Sequence, residues 1–183
     1  SFAIMPFKFE KNRIFQSGIS LKRLKMNSDS TIIIDNDAIL DSNPDFTTEK
    51  CYDVTNNAIK CLATSIKSSS LTDDTNIMST SRSTENIEDS VKDSIKMLYE
   101  DAPPNSIKRS MLYVYGADKI PVGIINSISN ILGGIFDEEN SQVDMSTSGN
   151  TNVVLLSTIA GETRFDKYDP LGMISKDKTL DWD

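Results

Sequence analysis

The feature that most limits the fold of this chain is a run of β-branched residues that ends abruptly in polar ones. Residues 31–40 read Thr-Ile-Ile-Ile-Asp-Asn-Asp-Ala-Ile-Leu. Consecutive isoleucines are typical of a strand buried on both faces, as in the sheet of an open α/β fold, where ligands bind beyond the carboxyl ends of the strands. Asp35, Asn36 and Asp37 therefore either contribute to a ligand site or form a turn that caps a short helix.

The rest of the chain alternates between helical and strand patterns. Helices are predicted over residues 11–26, 48–66, from 85 to the Pro103-Pro104 pair, and after Pro121. Strands are predicted at the amino terminus and over residues 31–34, 111–115, 142–147 and 152–160. Between residues 64 and 84 Ser, Thr, Asp and Asn dominate, which predicts a linker or a long functional loop. The helices and strands after residue 85 indicate a small α/β layer with one mixed sheet.

Composition excludes several classes of function. The 183 residues carry a net charge of -8, which argues against nucleic acid as a main partner. The chain contains no His, so Ser-His-Asp triads and His-containing zinc sites are excluded, and no metal ligands are predicted. Its 8 glycines are dispersed and form no phosphate-binding motif, so the chain by itself lacks the usual means of holding a triphosphate.

The 2 cysteines and the apolar runs indicate the compartment. Cys51 and Cys61 fall on one predicted helix, where ten residues span about 15 Å, too far for a disulfide. They are expected to be reduced, in the cytoplasm. No apolar run approaches the ~20 residues of a transmembrane helix, and no signal peptide is recognisable.

Four segments in order resemble the tubulin/FtsZ superfamily of cytoskeletal GTPases, including its archaeal FtsZ-like and CetZ-like branches. They are Pro6-Phe-Lys-Phe-Glu10, Gly18-Ile19, the stretch from Asp29 to Leu40, and Cys51-Tyr-Asp-Val-Thr-Asn-Asn-Ala-Ile59. The resemblance implies the end of a Rossmann-like GTPase domain (1–47), a long central helix (48–67), a polar loop (68–84), a small α/β C-terminal domain with a mixed sheet (85–165) and a tail (166–183). The family's glycine-rich phosphate loop would lie upstream of Ser1.

The resemblance also implies roles for individual residues in binding GTP or GDP. Glu10 corresponds to an acid that contacts the ribose, and Arg13 approximates an arginine that does the same, with a spacing one residue shorter. Asn36 corresponds to an asparagine that contacts the base or ribose at the end of a strand. Tyr52 corresponds to an aromatic residue that packs on the guanine.

The sequence departs from the family pattern in two places, on the central helix and in the loop after it. Asn56 and Asn57 correspond to an Asn-Asp pair on the central helix, whose acid reads the guanine; with Asn57 the charge-assisted hydrogen bond is lost. In the loop that follows, the family's acids polarise a water against the γ-phosphate of the next subunit. The candidates for this role are Asp73 and Asp74, which are adjacent where the family's acids are three residues apart.

The resemblance therefore predicts part of a GTPase that polymerises into filaments and hydrolyses GTP, with Mg²⁺ accompanying the nucleotide, between subunits of the intact protein. It implies a role in cell division or cell shape, with cell-division proteins as further partners. This chain alone is expected to be inactive and to hold no nucleotide tightly. The alternative is a degenerate, non-enzymatic FtsZ-like protein that acts as a filament partner or a ligand-binding module.

Overall fold

The computed structural model describes residues 1–65, 71, 75–103, 106–107, 109–116, 121–136, 141–146, 154–161, 163, 165 and 167–169. Within these ranges the strands are β1 (Phe2–Met5), β2 (Thr31–Asp35), β3 (Thr75–Thr80), β4 (Arg109–Gly116), β5 (Ser141–Ser146) and β6 (Val154–Gly161). The helices in the same ranges are α1 (Lys11–Met26), α2 (Asn36–Ser42), α3 (Thr48–Ser65), α4 (Ile87–Asp101) and α5 (Val122–Ile135).

All the described strands belong to one mixed sheet, in the order β1-β2-β3-β6-β4-β5. Strands β1, β2 and β3 are parallel to one another, and β4 is parallel to β5. Strand β6 lies between β3 and β4 and is antiparallel to both. The prediction of an α/β fold with a mixed sheet is confirmed.

The isoleucine run of β2 is explained by burial on both faces of the sheet. Ile33 packs with α1, α4 and α5 in one apolar cluster, whereas Ile32 and Ile34 pack with α2 and α3 in a second cluster on the opposite face. All three side chains are at most 2% exposed. Since full burial of one such side chain contributes about 1.5–3 kcal/mol, this strand is a main source of stability.

Most predicted elements are confirmed, but the loop predicted within the polar stretch is wrong over Thr75–Thr80, which form β3. Every residue of this strand is buried, with Ile77 and Met78 entering opposite clusters. Some of its polar side chains find partners nearby: the Ser79 hydroxyl donates to the Thr158 carbonyl at 3.4 Å, and the Asn76 amide donates to the Ser30 hydroxyl at 3.0 Å. The polar composition of this strand is typical of a loop, which is why the sequence did not predict a central strand here.

The sheet is continuous across the predicted domain boundaries, since β2 of the first unit pairs with β3, and β3 pairs with β6 of the C-terminal unit. The boundaries themselves stay predictions. Asp73 and Asp74 lie outside the described residues, as do residues 170–183 of the tail. No helix in the described part of the chain has the length and apolarity needed to cross a membrane.

Candidate functional site

The polar residues after β2 begin a short helix. Asp35 has extended backbone geometry, and its carboxylate accepts a hydrogen bond from the Asp37 amide at 2.9 Å, so it is the N-cap of α2. The capping interpretation of this turn is therefore confirmed for Asp35. It does not compete with ligand binding at Asn36, which is the first residue of the helix.

A cavity of about 450 Å³ opens at the carboxyl end of β1 and contains Asn36 in its wall. Its lining comes from β1 and the turn after it, from α1, and from the first turns of α2 and α3. The lining residues are Ile4, Met5, Pro6, Glu10, Arg13, Gln16, Ser17, Ser20, Asn36 and Tyr52. The structure thus brings four of the six predicted nucleotide-contacting residues to one cavity.

Asn36 carries an unpaired hydrogen-bond donor at this cavity. The residue is 1% exposed, and its Oδ1 accepts from the Thr55 hydroxyl at 3.0 Å. Its Nδ2 has no hydrogen-bond partner among the described residues. Leaving a buried amide donor unsatisfied costs about 1–3 kcal/mol, so an acceptor supplied by a ligand would remove a penalty that the protein otherwise carries.

Glu10 and Arg13 form the polar rim on the α1 side. One carboxylate oxygen of Glu10 accepts from the Phe7 amide at 3.2 Å, and the other pairs with Arg13 Nη1 at 3.1 Å. The Arg13 side chain is 70% exposed, so this ion pair contributes little to stability. Both groups are free to reorganise toward a ligand.

Tyr52 forms an aromatic edge to the cavity. Its ring meets Phe7 edge-on, with centroids 5.5 Å apart, and Phe7 in turn stacks on Phe9 at 5.0 Å. Tyr52 is 38% exposed, which leaves part of its ring open to a planar ligand.

Asn56 and Asn57 are not brought to the cavity. Both are exposed residues of α3, and neither is among the lining residues. Tyr52 reaches the cavity from one turn nearer the start of the same helix. The predicted base-reading position therefore does not itself line the cavity, although Asn56 follows the lining residue Tyr52 by one helical turn.

Next to the cavity lies a group of ionisable residues that was not predicted from the sequence; Asp35, Asp37 and Tyr168 are buried in it. It consists of Asp35, Asp37, Asp101, Lys167 and Tyr168, and we call it the carboxylate cluster. Lys167 Nζ bridges Asp35 Oδ2 at 2.6 Å and Asp101 Oδ1 at 3.2 Å. The side chains of Asp35 and Asp101 are only 0% and 3% exposed.

One ammonium group balances only one of the two carboxylates that it contacts. Burial, reinforced by the negative charge of Asp35, raises the pKa of Asp101 to about 8, although Lys167 opposes the shift. Burial alone would lower the pKa of Lys167, but Asp35 and Asp101 outweigh it and raise that pKa above its ordinary value. Burial also raises the pKa of Asp37, as does, to a smaller extent, the charge of Asp35. The pKa of Tyr168 is raised by burial and by the charges of Asp35 and Asp37.

We expect the free energy of unfolding to decrease as the pH rises from about 5 to about 8. Asp101 has a pKa of about 8 when folded and an ordinary value of 3.8, so in this range it holds a proton only in the folded state. Its stabilising contribution is fully present below pH 3.8 and is lost as the pH passes through the folded value. The slope is at most about 1.4 kcal/mol per pH unit, the value for one proton.

Urea unfolding at several pH values checks this expectation, with Asp101→Asn as the control. The asparagine keeps the shape of the side chain but has no proton to lose, so the stability of the variant should depend less on pH. Parallel pH profiles for the two proteins would contradict the assignment.

The carboxylate cluster was not predicted from the sequence because its members are far apart in the chain. Lys167 is 132 residues from Asp35 and 66 from Asp101. Asp101 ends a helix, and Lys167 and Tyr168 belong to what was predicted to be a polar tail. The aromatic residues Phe165 and Tyr168, three positions apart, are the one local signal that could have indicated packing of this segment. Within the described residues, no group of three or more His, Cys, Asp or Glu side chains is arranged to hold a metal ion.

Comparisons with solved structures reveal the same fold in known proteins. An FtsZ dimer from M. jannaschii superposes with a TM-score of 0.70 at 14% identity, covering 87% of this chain and 53% of that one. The GDP-bound monomer of CetZ1 from Haloferax volcanii superposes with a TM-score of 0.63 at 14% identity, covering 93% of this chain and 57% of that one.

CetZ from Methanosaeta thermophila is also similar, with a TM-score of 0.61 at 14% identity over 90% of this chain and 52% of that one. Neither a protein family profile nor a curated protein sequence matches the chain. The chain spans about half the length of the structures that it matches. Its fold is the one seen in these FtsZ and CetZ structures.

Proposed function

We propose that this chain is part of an FtsZ/tubulin-like GTPase and forms the nucleoside end of its GTP site. The observation that carries the proposal is the cavity at the end of β1, which brings together Glu10, Arg13, Asn36 and Tyr52. Its volume of about 450 Å³ lies within the range of small-molecule sites. The solved structures of similar fold include one named as GDP-bound, which supports a nucleotide as the ligand.

Each of these residues has chemistry that suits a nucleoside. The Glu10 carboxylate accepts hydrogen bonds from ribose hydroxyls, and the unpaired Nδ2 of Asn36 donates to an acceptor on the ribose or base. The exposed part of the Tyr52 ring packs on the base. Arg13 supplies a positive charge at the rim, 3.1 Å from the Glu10 carboxylate.

The remaining parts of the reaction are proposed on the resemblance and the fold. The phosphates and their Mg²⁺ are held by residues outside this chain, since its sequence has no glycine-rich phosphate motif. When bound, Mg²⁺ neutralises the charge of the phosphates. Asp73 or Asp74 polarises the attacking water across a contact between subunits, so hydrolysis follows self-association into filaments. A similar FtsZ structure is described as a dimer, which supports self-association. The process served is cell division or control of cell shape in the cytoplasm, with other division proteins as partners.

A second candidate is a non-enzymatic member of this fold that binds a ligand or a filament without turnover. The position of Asn57 favours it: the residue lacks the charge of the family's acid and lies on the exposed face of α3, away from the cavity lining. GTP turnover by the full-length protein distinguishes the two candidates. Loss of turnover in Asp73→Ala and Asp74→Ala supports the enzyme, and no turnover in the unmodified protein supports the second candidate.

We expect Asn36→Ala to weaken binding of GDP to the full-length protein by about tenfold, the effect of roughly one hydrogen bond. The change removes the buried amide that has no protein partner at Nδ2. Isothermal titration calorimetry measures the affinity. Asn12→Ala is the matched control, since Asn12 is an exposed residue of α1 that does not line the cavity.

Equal affinities for the Asn36→Ala and Asn12→Ala variants would remove Asn36 from the site. Failure of the unmodified protein to bind GDP or guanosine at millimolar concentration would overturn the assignment of the cavity. Thermal unfolding of each variant without ligand confirms that a change in affinity does not come from a loss of folded protein.

A further inference from the structure

We propose that Lys167 and Tyr168 are positioning residues whose contacts hold together the ends of β1 and β2 beside the ligand cavity. We call these contacts the clasp. Through them the segment after β6 sets the affinity of the site. The ligand-binding part of this inference rests on the proposed function. The clasp itself rests on contacts within the chain, and the two are tested separately below.

The Tyr168 hydroxyl contacts both strand ends at once. It lies 2.9 Å from the Pro6 carbonyl, just after β1, and 3.2 Å from Asp35 Oδ1 at the end of β2. It also lies 3.3 Å from Asp37 Oδ2 in the first turn of α2. Pro6 and Asn36 both line the cavity, and Asn36 stands between the two aspartates that the hydroxyl meets. A single phenol oxygen therefore lies within hydrogen-bond distance of both sides of the cavity wall, with one proton to donate to the acceptors there.

The two aspartates that contact Tyr168 are also hydrogen-bonded to the backbone around Asn36. The Asp35 carboxylate accepts from the Asp37 amide at 2.9 Å, and the Asp37 carboxylate accepts from the Lys8 amide at 2.9 Å. The turn after β1 and the start of α2 are thus tied to each other through side chains that Tyr168 contacts. Displacing Tyr168 would loosen both amide hydrogen bonds and change the position of Asn36 in the cavity.

Lys167 supplies the charge that lets this arrangement stay buried. Its ammonium group bridges Asp35 at the end of β2 and Asp101 at the end of α4. Without that cation, Asp35 would be a buried carboxylate with no positive charge beside it, and the cost of burying that charge would favour opening of the turn. Lys167 therefore keeps Asp35 in place to cap α2.

The segment that carries the clasp is anchored independently of it. Tyr168 is 3% exposed, and its ring packs against Phe165, with centroids 5.7 Å apart. Both rings belong to the apolar cluster that contains Met5 and Leu21. Removing only the Tyr168 hydroxyl therefore leaves the anchor intact and tests the polar contacts alone.

The experiment compares Tyr168→Phe with Tyr99→Phe in the full-length protein. Tyr99 is half-buried, packs edge-on against Phe136 and does not line the cavity. Tyr99→Phe therefore removes one hydroxyl group elsewhere and is the matched control. The first measurement is amide hydrogen exchange without ligand. We expect exchange at Lys8 and Asp37 to become about tenfold faster in Tyr168→Phe, with little change in α5. Unchanged exchange at these two amides would overturn the clasp.

The second measurement is the affinity for GDP by calorimetry. We expect Tyr168→Phe and Lys167→Met to weaken binding about three- to tenfold, Lys167→Arg to restore most of it, and Tyr99→Phe to leave it unchanged. Faster exchange with unaltered affinity would overturn the link between the clasp and the ligand. If the unmodified protein binds no GDP, the proposed function fails, while the exchange measurement still decides the clasp.

Discussion

Replacing Lys167 by methionine is expected to lower the free energy of unfolding by about 2–3 kcal/mol, because the buried Asp35 carboxylate would lose the cation that balances its charge. Lys167 is the cation that contacts both Asp35 and Asp101, whose side chains are almost fully buried. Methionine preserves the length and much of the apolar stem, so the main loss is the charge. Asp35 would then be a buried carboxylate without a neighbouring cation.

Lys8→Met is the matched control for this substitution. Lys8 pairs with Asp41 at 3.0 Å, but the two side chains are 58% and 46% exposed, so loss of the pair should cost less than about 1 kcal/mol. The backbone amide of Lys8, which donates to Asp37, is unaffected by the change. Urea unfolding at neutral pH measures both variants. Similar losses for Lys167→Met and Lys8→Met would show that the carboxylate cluster does not need its cation.

The second large effect is expected from Phe7→Ala, which should lower the free energy of unfolding by about 3–5 kcal/mol. Phe7 is 1% exposed and belongs to the apolar cluster that joins β2 with α2 and α3. Its ring also supports Tyr52 edge-on at the cavity. Truncation would therefore leave a void in the core and remove the support of the aromatic edge, so GDP binding should weaken as well.

Phe9→Ala is the control for this substitution, because it removes an exposed ring where Phe7→Ala removes a buried one. Phe9 stacks on Phe7, yet it is 61% exposed, so its loss should cost about 1 kcal/mol or less. Chemical unfolding gives the two stabilities, and calorimetry gives the two affinities. Equal destabilisation by the two substitutions would mean that the stacked pair acts as one surface patch and that Phe7 is not a core residue in solution.

Sequence patterns predicted the elements whose apolar residues follow a clear period. The isoleucines of β2 and the helical stripe of α4 are examples, because burial selects residues at fixed intervals along a strand or a helix. The strand β3 was missed because it is central and yet rich in Ser, Thr and Asn. Its backbone pairs with β2 and β6, and a single sequence does not reveal that pairing.

The candidate site was predicted in part, and through the family resemblance more than through chemistry. Glu10, Arg13, Asn36 and Tyr52 come together at the cavity, whereas Asn56 and Asn57 do not. Lys167 and Tyr168 had no signal in the sequence that pointed to Asp35. Contacts between residues more than 130 positions apart depend on the order of strands in the sheet, which local pattern does not determine.

The position of β6 in the sheet has a consequence for synthesis of the chain. It is the last strand of the described sequence, yet it lies between β3 and β4, and 79 residues separate Ser79 of β3 from its neighbour Thr158. While the chain emerges from the ribosome, β3 and β4 each present an unpaired edge until residue 161 has been made. Such edges invite association with other nascent chains, so molecular chaperones are expected to shield them until β6 closes the gap.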